Sequence, residues 1–390
     1  MSPTTAIACV LLGVSVASFS FFGCGGGSSG ASGSYTGPVA DSACPGLPDA
    51  STWKNVSPPG TDYAASYTGT NSIVARPDDP ATVYTGVDGK GIYTSSDCGG
   101  TWSLVSTGAH TTEMSSGRPW SMVIDPVTPD VMYVVQGYGA SGLWKSTNAG
   151  VDWEQVLTPN VTAAFYGGGQ ITSIHMDPGD HAHLVVESHG NCAATNKTCA
   201  AETADAGVTW KVIDLSAVGD WSEGSGIAIV DRSTWLYCGV FSGLFRTADE
   251  GASWTQMDVG GALPDCDYYQ PRLWTDPGGR TYLAAIAYTG PGILKSDPGD
   301  TSKWTLIDAS PQADLLVATG TQLVVAKSVD STYFVASQSD TSTWTPLAGP
   351  PTPQPQAGNL TGPHYLTYDP VHHVLYASTF STGLWQTVIP

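Results

Sequence analysis

Positive charge is what this chain has least of. Lys and Arg number 14 against 34 Asp and Glu, a formal charge of −20 at pH 7. A surface that acidic repels nucleic acid and anionic membranes, and no basic stripe interrupts it, so nucleic-acid partners are excluded. Charged residues of both signs together make up only 12% of the chain, and no stretch repeats its apolar residues at the helical period. Helical classes are thereby set aside. Long apolar runs are lacking as well: residues 6–22 form a run too short and too Ser-rich to span a membrane. No C-x-x-C spacing and no nearby His pair mark a metal site. Neither a metal nor any other cofactor is expected.

What the chain has in quantity is Gly (46), Pro (27), Tyr (17) and Trp (13), the composition of many short strands joined by tight turns. One pattern returns along it. Ser95, Asp97, Gly99, Thr101 and Trp102 spell S-x-D-x-G-x-T-W, and Ser146, Asn148, Gly150, Asp152 and Trp153 repeat it. So do Thr203, Asp205, Gly207, Thr209 and Trp210, and then Thr247, Asp249, Gly251, Ser253 and Trp254, with worn copies ending at Trp304 and Trp344. The Asp or Asn side chain can accept bonds from backbone N–H groups two or three residues on, the Gly supplies a positive φ, and the Trp buries a ring as the next strand begins. Each copy therefore predicts a hairpin turn with a buried peg.

Ahead of each turn stand two strands, often with Asp-Pro between them, and a Gly-Leu or Gly-Ile strand entering the turn. Four strands per unit follow, in seven units beginning near Ser72, Ser121, Ser173, Gly226, Arg272, Leu315 and His364. The seventh unit stops at Pro390 after its third strand, while Ser51, Thr52 and Trp53 match Ser342, Thr343 and Trp344 and precede the first unit. The N-terminal strand is thus expected to complete the last unit, closing a ring without open edges. The fold class read from the sequence is all-β: a single seven-bladed β-propeller of four-stranded blades.

Before the ring, residues 1–24 read as an export signal whose end, Phe21-Phe22-Gly23-Cys24, resembles a lipoprotein cleavage site, making Cys24 the expected lipid attachment point. The only membrane contact expected is through that lipid. An exported bacterial protein at the outer membrane or cell surface is implied, or a secreted one if Cys24 stays unmodified. Residues 25–50 open with a Gly/Ser-rich stretch and read as a tether, and residues 51–390 form the propeller. Six further cysteines, an even number, point to disulfides in an exported protein. Cys192 with Cys199 brackets a short loop; Cys238 with Cys266 and Cys44 with Cys98 would complete one of several possible pairings.

On these turns the chain resembles the Asp-box, or BNR-repeat, propellers of sialidases, xyloglucanases and sortilin-type receptors, over residues 51–390. The resemblance implies that the boxes are structural and peripheral. Ligands would meet the opposite mouth, built from the turns between second and third strands and the loops into each first strand. Candidate binding residues there are Arg118, His189, Trp221, Glu223, Asp267, Tyr268, Arg272 and His364, with Asp62, Tyr63, His110, Glu113, Tyr138, Tyr166, Gln170, Glu187, Tyr269 and Gln270 beside them. Aromatics mixed with carboxylates suit a carbohydrate, whose ring faces stack and whose hydroxyls need acceptors.

Within that family the xyloglucanase pattern is closest: Tyr84, Asp88, Gly91 and Tyr93 fall at the spacing of its first blade, which implies a catalytic Asp88. Those enzymes carry their second catalytic Asp on a second propeller. Here it must come from across the same ring, with Asp265 the first choice and Asp267 or Glu223 behind it. The sialidase Arg-Ile-Pro signature is missing. A polysaccharide lyase would draw its base from His189 or Tyr268 and its cation from Arg118 or Arg272. A non-catalytic propeller of sortilin or photosystem-assembly-factor type would use the same mouth for a protein or peptide. The expected partner is a glycan or polysaccharide, or else a protein, and the expected state a monomer.

Overall fold

In a computed structural model, residues 35–63, 69–219, 225–239, 242–259, 272–284, 292–307, 310–351, 362–379 and 382–389 are described. They form seven four-stranded antiparallel sheets, each a blade whose strands pair in chain order except in the last. The innermost strands are Thr70–Ala75, Arg118–Ile124, Ile171–Met176, Ser225–Ile229, Arg272–Thr275, Leu315–Ala318 and Pro363–Asp369. The molecule is a seven-bladed β-propeller. Helix is confined to short loop segments such as Thr111–Met114 and Pro159–Ala164.

The central strands of a blade are covered on both faces by neighbouring blades, so they read as near-continuous apolar runs rather than alternating ones. Val83–Val87 and Leu184–Ser188 are buried at every position. The core accordingly lies between blades. Ile73 and Val83 of blade 1 pack with Tyr365, Tyr376 and Leu384 of blade 7, and Val123 and Val135 of blade 2 with Ile174 and Val186 of blade 3.

Ring closure follows the sequence expectation. Lys54–Asn55 pairs with Gly383–Val388, Lys54 opposite Gln386 and Asn55 opposite Trp385, and becomes the outer strand of blade 7. Trp53 is buried against Tyr333, ring centroids 5.1 Å apart, and its Nε1–H donates to the carbonyl of Ala348 at 2.6 Å, tying blade 7 to blade 6. Two further pegs do the same work at their own seams, while those of blades 2, 4 and 5 bond back within their own turns. Trp102 Nε1–H donates to Val56 O (2.7 Å) and Trp210 Nε1–H to Val156 O (2.8 Å).

The repeated turns have the expected bonding. In blade 1 the Thr101 N–H donates to Asp97 Oδ1 (2.8 Å), Thr101 Oγ1 to Asp97 Oδ2 (2.9 Å), and Gly99 N–H to Ser95 Oγ (2.8 Å). Cys98 and Gly99 take left-handed φ of 57° and 81° to let the chain reverse inside those bonds. Where the pattern is worn, in blades 5 and 6, tight hairpins replace it, Asp297 pairing with Asp300 and Ser337 with Asp340. The outer strands there are long, Asp300–Leu306 and Asp340–Leu347, whereas those of blades 1, 2 and 4 have two residues each.

Two disulfides join Cys44 to Cys98 and Cys192 to Cys199, with Cα–Cα distances of 5.2 and 6.0 Å. Cys238 is also disulfide-bonded, and Cys266, expected as its partner, lies outside the described residues. The later part of the stretch read as a tether is bound to the ring. Ala40 N–H donates to Asp78 O, Ser42 Oγ to Asp79, and Leu47 packs on the core at the seam of blades 7 and 1. Cys24 lies outside the described residues.

Candidate functional site

Four of the innermost strands share an irregularity at their mouth ends. Register shifts fall between Thr70 and Ser72, Pro119 and Ser121, Ile171 and Ser173, and Pro363 and Tyr365. The inserted residues are Asn71, Trp120, Thr172 and His364. A bulge re-aims one side chain without ending the strand, so blades 7, 1, 2 and 3 each offer one residue at the same level. Asn71 is buried with neither side-chain amide atom paired among the described residues.

Around Trp120 the mouth residues converge. Its ring meets Tyr138 edge-on at 5.0 Å and His189 at 4.9 Å, and Tyr138 and His189 are 5.7 Å apart. Gly137 permits this: a Cβ there would come within 2.4 Å of the Trp120 ring. The Arg118 guanidinium lies over Tyr138, 5.1 Å from its centroid, and its Nε is 3.3 Å from Asp88 Oδ2. His189 Nδ1 faces Gln170 Oε1 at 3.3 Å. Three blades thus supply one patch: Asp88 from blade 1, Arg118, Trp120 and Tyr138 from blade 2, and Gln170 and His189 from blade 3.

Tyr138 stays half exposed, with 50% of its surface open, and Tyr166, packed on Gly190 beside His189, is 59% exposed. Tyr138 also has φ of 45°. A left-handed backbone costs a residue with a Cβ about 1–2 kcal/mol, and a bulky ring kept there in the open is the kind of strain that collects at functional sites. Burial pushes the pKa of the Asp88 carboxyl up from its ordinary value, against the opposing pull of Arg118. A half-buried carboxyl with a raised pKa, beside a guanidinium at the edge of an aromatic patch, is a candidate for proton transfer or for hydrogen bonding to a ligand.

The other predicted residues are distributed less simply. Arg272 and His364 sit at the mouth ends of their strands but are buried, Arg272 with its guanidinium 4.5 Å over the Tyr365 ring. Burial holds the His364 imidazole well below its ordinary pKa, with Arg272 adding to the effect. They form the packed floor under the mouth rather than its open surface. Glu187 is buried too, accepting from Ser173 Oγ at 2.7 Å and lying 3.2 Å from His175 Nε2. His110 and Glu113 pair with each other on an exposed short helix. Trp221, Glu223, Asp265, Asp267 and Tyr268 lie outside the described residues. Trp120 is the mouth residue that sequence reading passed over, because it stands inside a strand. A local signal was Gly137, which pairs with Arg118 and whose missing side chain leaves room for the Trp120 ring.

No protein-family model and no curated protein matches this chain. Solved structures do. YCF48 bound to D1 peptide aligns with a TM-score of 0.56 at 12% identity, covering 90% of this chain and 99% of that one. The GH74 xyloglucanase from Xanthomonas campestris gives 0.55 at 17% identity, covering 86% of this chain and 53% of that one. Virginiamycin B lyase from Staphylococcus aureus gives 0.55 at 11%, covering 87% and 99%. Identities this low establish the shared propeller fold and no more. The chain spans about half the length of the xyloglucanase.

Proposed function

We propose that this protein is an exported Asp-box propeller that binds a glycan at its mouth, on the patch formed by Asp88, Arg118, Trp120, Tyr138 and His189. The observation that carries the reading is the exposed Tyr138 ring, held in a left-handed backbone and braced edge-on by Trp120. A rigid, braced aromatic face in the open is a stacking platform for a sugar ring, and the carboxyl and guanidinium beside it would serve hydroxyls. The two described disulfides support an oxidising, extracytoplasmic location. Lipid attachment at Cys24 of a monomeric protein belongs to the same proposal.

The finer proposal is hydrolysis with Asp88 as the proton donor, supported by its raised pKa and by the xyloglucanase-like spacing around it. Such chemistry needs a second carboxyl about 5 to 9 Å away, and Asp265 is proposed for it. The test is release of reducing ends from xyloglucan and related β-glucans. Wild type is expected to be active, and Asp88→Asn inactive with binding retained, since amide and carboxyl are nearly isosteric but only the carboxyl moves a proton. If wild type binds β-glucan but releases no reducing ends, the binding reading stands alone.

A second reading is a peptide-binding propeller. What favours it is that YCF48, solved with D1 peptide bound, is covered over 99% of its length by this chain. Binding to immobilised peptides but to no glycan on an array would decide for it.

A further inference from the structure

On the face opposite the mouth, the seam between blades 7 and 1 gathers four metal-ligating side chains from three separate parts of the chain. Cys44 comes from the segment leading to the closing strand, Cys98 from the repeated turn of blade 1, and Asp369 and His372 from the turn after the first strand of blade 7. One donor atom of each lies within 4.8 Å of the others. Cys44 and Cys98 are joined as a disulfide, Cys98 Sγ is 3.6 Å from Asp369 Oδ2, and that oxygen is 2.6 Å from His372 Nδ1.

We propose that, once the disulfide is reduced, these four side chains bind one divalent ion of Zn²⁺ type, so that the ring is clasped at its seam either by a disulfide or by a metal. The donor set, two thiolates with an imidazole and a carboxylate, is that of a structural zinc site. Tetrahedral ligands at about 2.0–2.3 Å from the ion lie roughly 3.3–3.8 Å from one another, so small side-chain shifts suffice.

The surroundings are already arranged for such ligands. Asp369 is fully buried, and its Oδ1 accepts the N–H groups of Val371 (2.8 Å) and His372 (3.1 Å), which fixes the carboxylate and leaves Oδ2 facing the sulfurs. His372 Nε2 is 3.3 Å from Asp41 Oδ1. With its proton on Nε2 toward Asp41, the ring would present Nδ1 to the ion, a carboxylate–imidazole–metal relay. Negative charge is gathered here by Asp41 and Asp369, on either side of the His372 ring. That field favours a cation.

The conversion balances. Two equivalents of a low-molecular-weight thiol reduce the disulfide to two cysteine thiols and are themselves oxidised to a disulfide. The ion then displaces both thiol protons to solvent, while His372 stays neutral and shifts its proton to Nε2. No other redox partner is needed.

The full chain, reduced with a phosphine under anaerobic conditions and then freed of reductant, is titrated with Co²⁺ and Zn²⁺. One Co²⁺ per chain should bind with a thiolate-to-cobalt charge-transfer band, Zn²⁺ should displace it, and the oxidised chain should take up none. Asp369→Asn and His372→Asn should each weaken binding by at least roughly tenfold. Absence of the band in reduced wild type would overturn the proposal. Unchanged affinity in both variants would also overturn it, leaving only a flexible dithiol chelate. Reduction could loosen the fold, so the melting temperature of the reduced chain is followed as well. Zn²⁺ should raise it for wild type and not for Cys44→Ser, and equal curves with and without Zn²⁺ would sink the idea.

Discussion

Single side chains in this ring divide into those that hold turns and those that face the mouth, and their titration separates them. The Asp205 and Asp249 carboxyls are held down at about 2, first by the hydroxyls of Thr209 and Ser253 and then by the surrounding N–H groups. Because these pKa values are depressed in the folded state, the turns contribute stability above the ordinary carboxylate pKa and lose it as pH falls toward 2. Asp97 carries the same bonds in blade 1. Asp97→Ala should cost about 1 kcal/mol by denaturant titration, the net worth of a turn hydrogen bond or two. No loss of stability at all would mean that the turn bonds are redundant.

His183 titrates in the opposite sense. It is fully buried, with Nδ1 2.9 Å from Asp177 Oδ2 and Nε2 3.4 Å from Glu202 Oε1. Burial alone would pull its pKa down, but the bonds to Asp177 and Glu202 outweigh that and push it up to about 9. A raised folded-state pKa means that its contribution, on the order of 3 kcal/mol, is complete below about pH 6.5 and lost as pH rises through about 9. Thermal unfolding of wild type should therefore fall off between those values, and His183→Gln should flatten that alkaline limb. An unchanged limb in the variant would assign it to another group.

At the scale of strands, the closing element is the shortest and matters most. Lys54–Asn55 contributes two ladder positions, yet Trp53 beside it fills the seam with blade 6 and Val56 accepts the Trp102 peg of blade 1. Trp53→Ala should cost roughly 3–5 kcal/mol. Deletion of residues 51–57 should cost more, since it also opens the edge of blade 7. Removal of residues 25–34 should leave the melting temperature where it was. Equal melting temperatures for the two truncations would refute closure by this strand. The element was legible because the Ser-Thr-Trp end of a box recurs at its place. The bulges were not, because an inserted residue such as Trp120 or His364 looks like one more strand position until the pairing partner is known.

The whole molecule shows the same division between what repeats and what does not. Seven blades and the disulfide Cys192–Cys199 follow from recurring patterns and a short loop, because turn chemistry and burial act on neighbouring residues, whereas Cys44–Cys98 joins residues 54 apart and was one of several pairings the sequence left open. The mouth depends on residues far apart in sequence. Asp88, Arg118, Tyr138 and His189 were recognisable as loop residues of suitable type, but their convergence on Trp120 is a property of the ring. Arg272 and His364, similar in type and placed at strand starts, instead pack beneath it. Local sequence reports which residues occupy strand ends and not how deeply the next blade covers them.

Glycan binding at the mouth is the central claim, and calorimetric titration of a xyloglucan oligosaccharide into wild type, Tyr138→Gly and Asp97→Ala tests it most directly. Tyr138→Gly relieves the left-handed strain while removing the stacking face, so it should fold at least as well as a loop variant can and lose affinity by at least roughly tenfold, about 1.4 kcal/mol. Asp97→Ala, on the far face, should lose stability and keep wild-type affinity. Wild-type affinity in folded Tyr138→Gly, or lost affinity in folded Asp97→Ala, would contradict the assignment of the mouth.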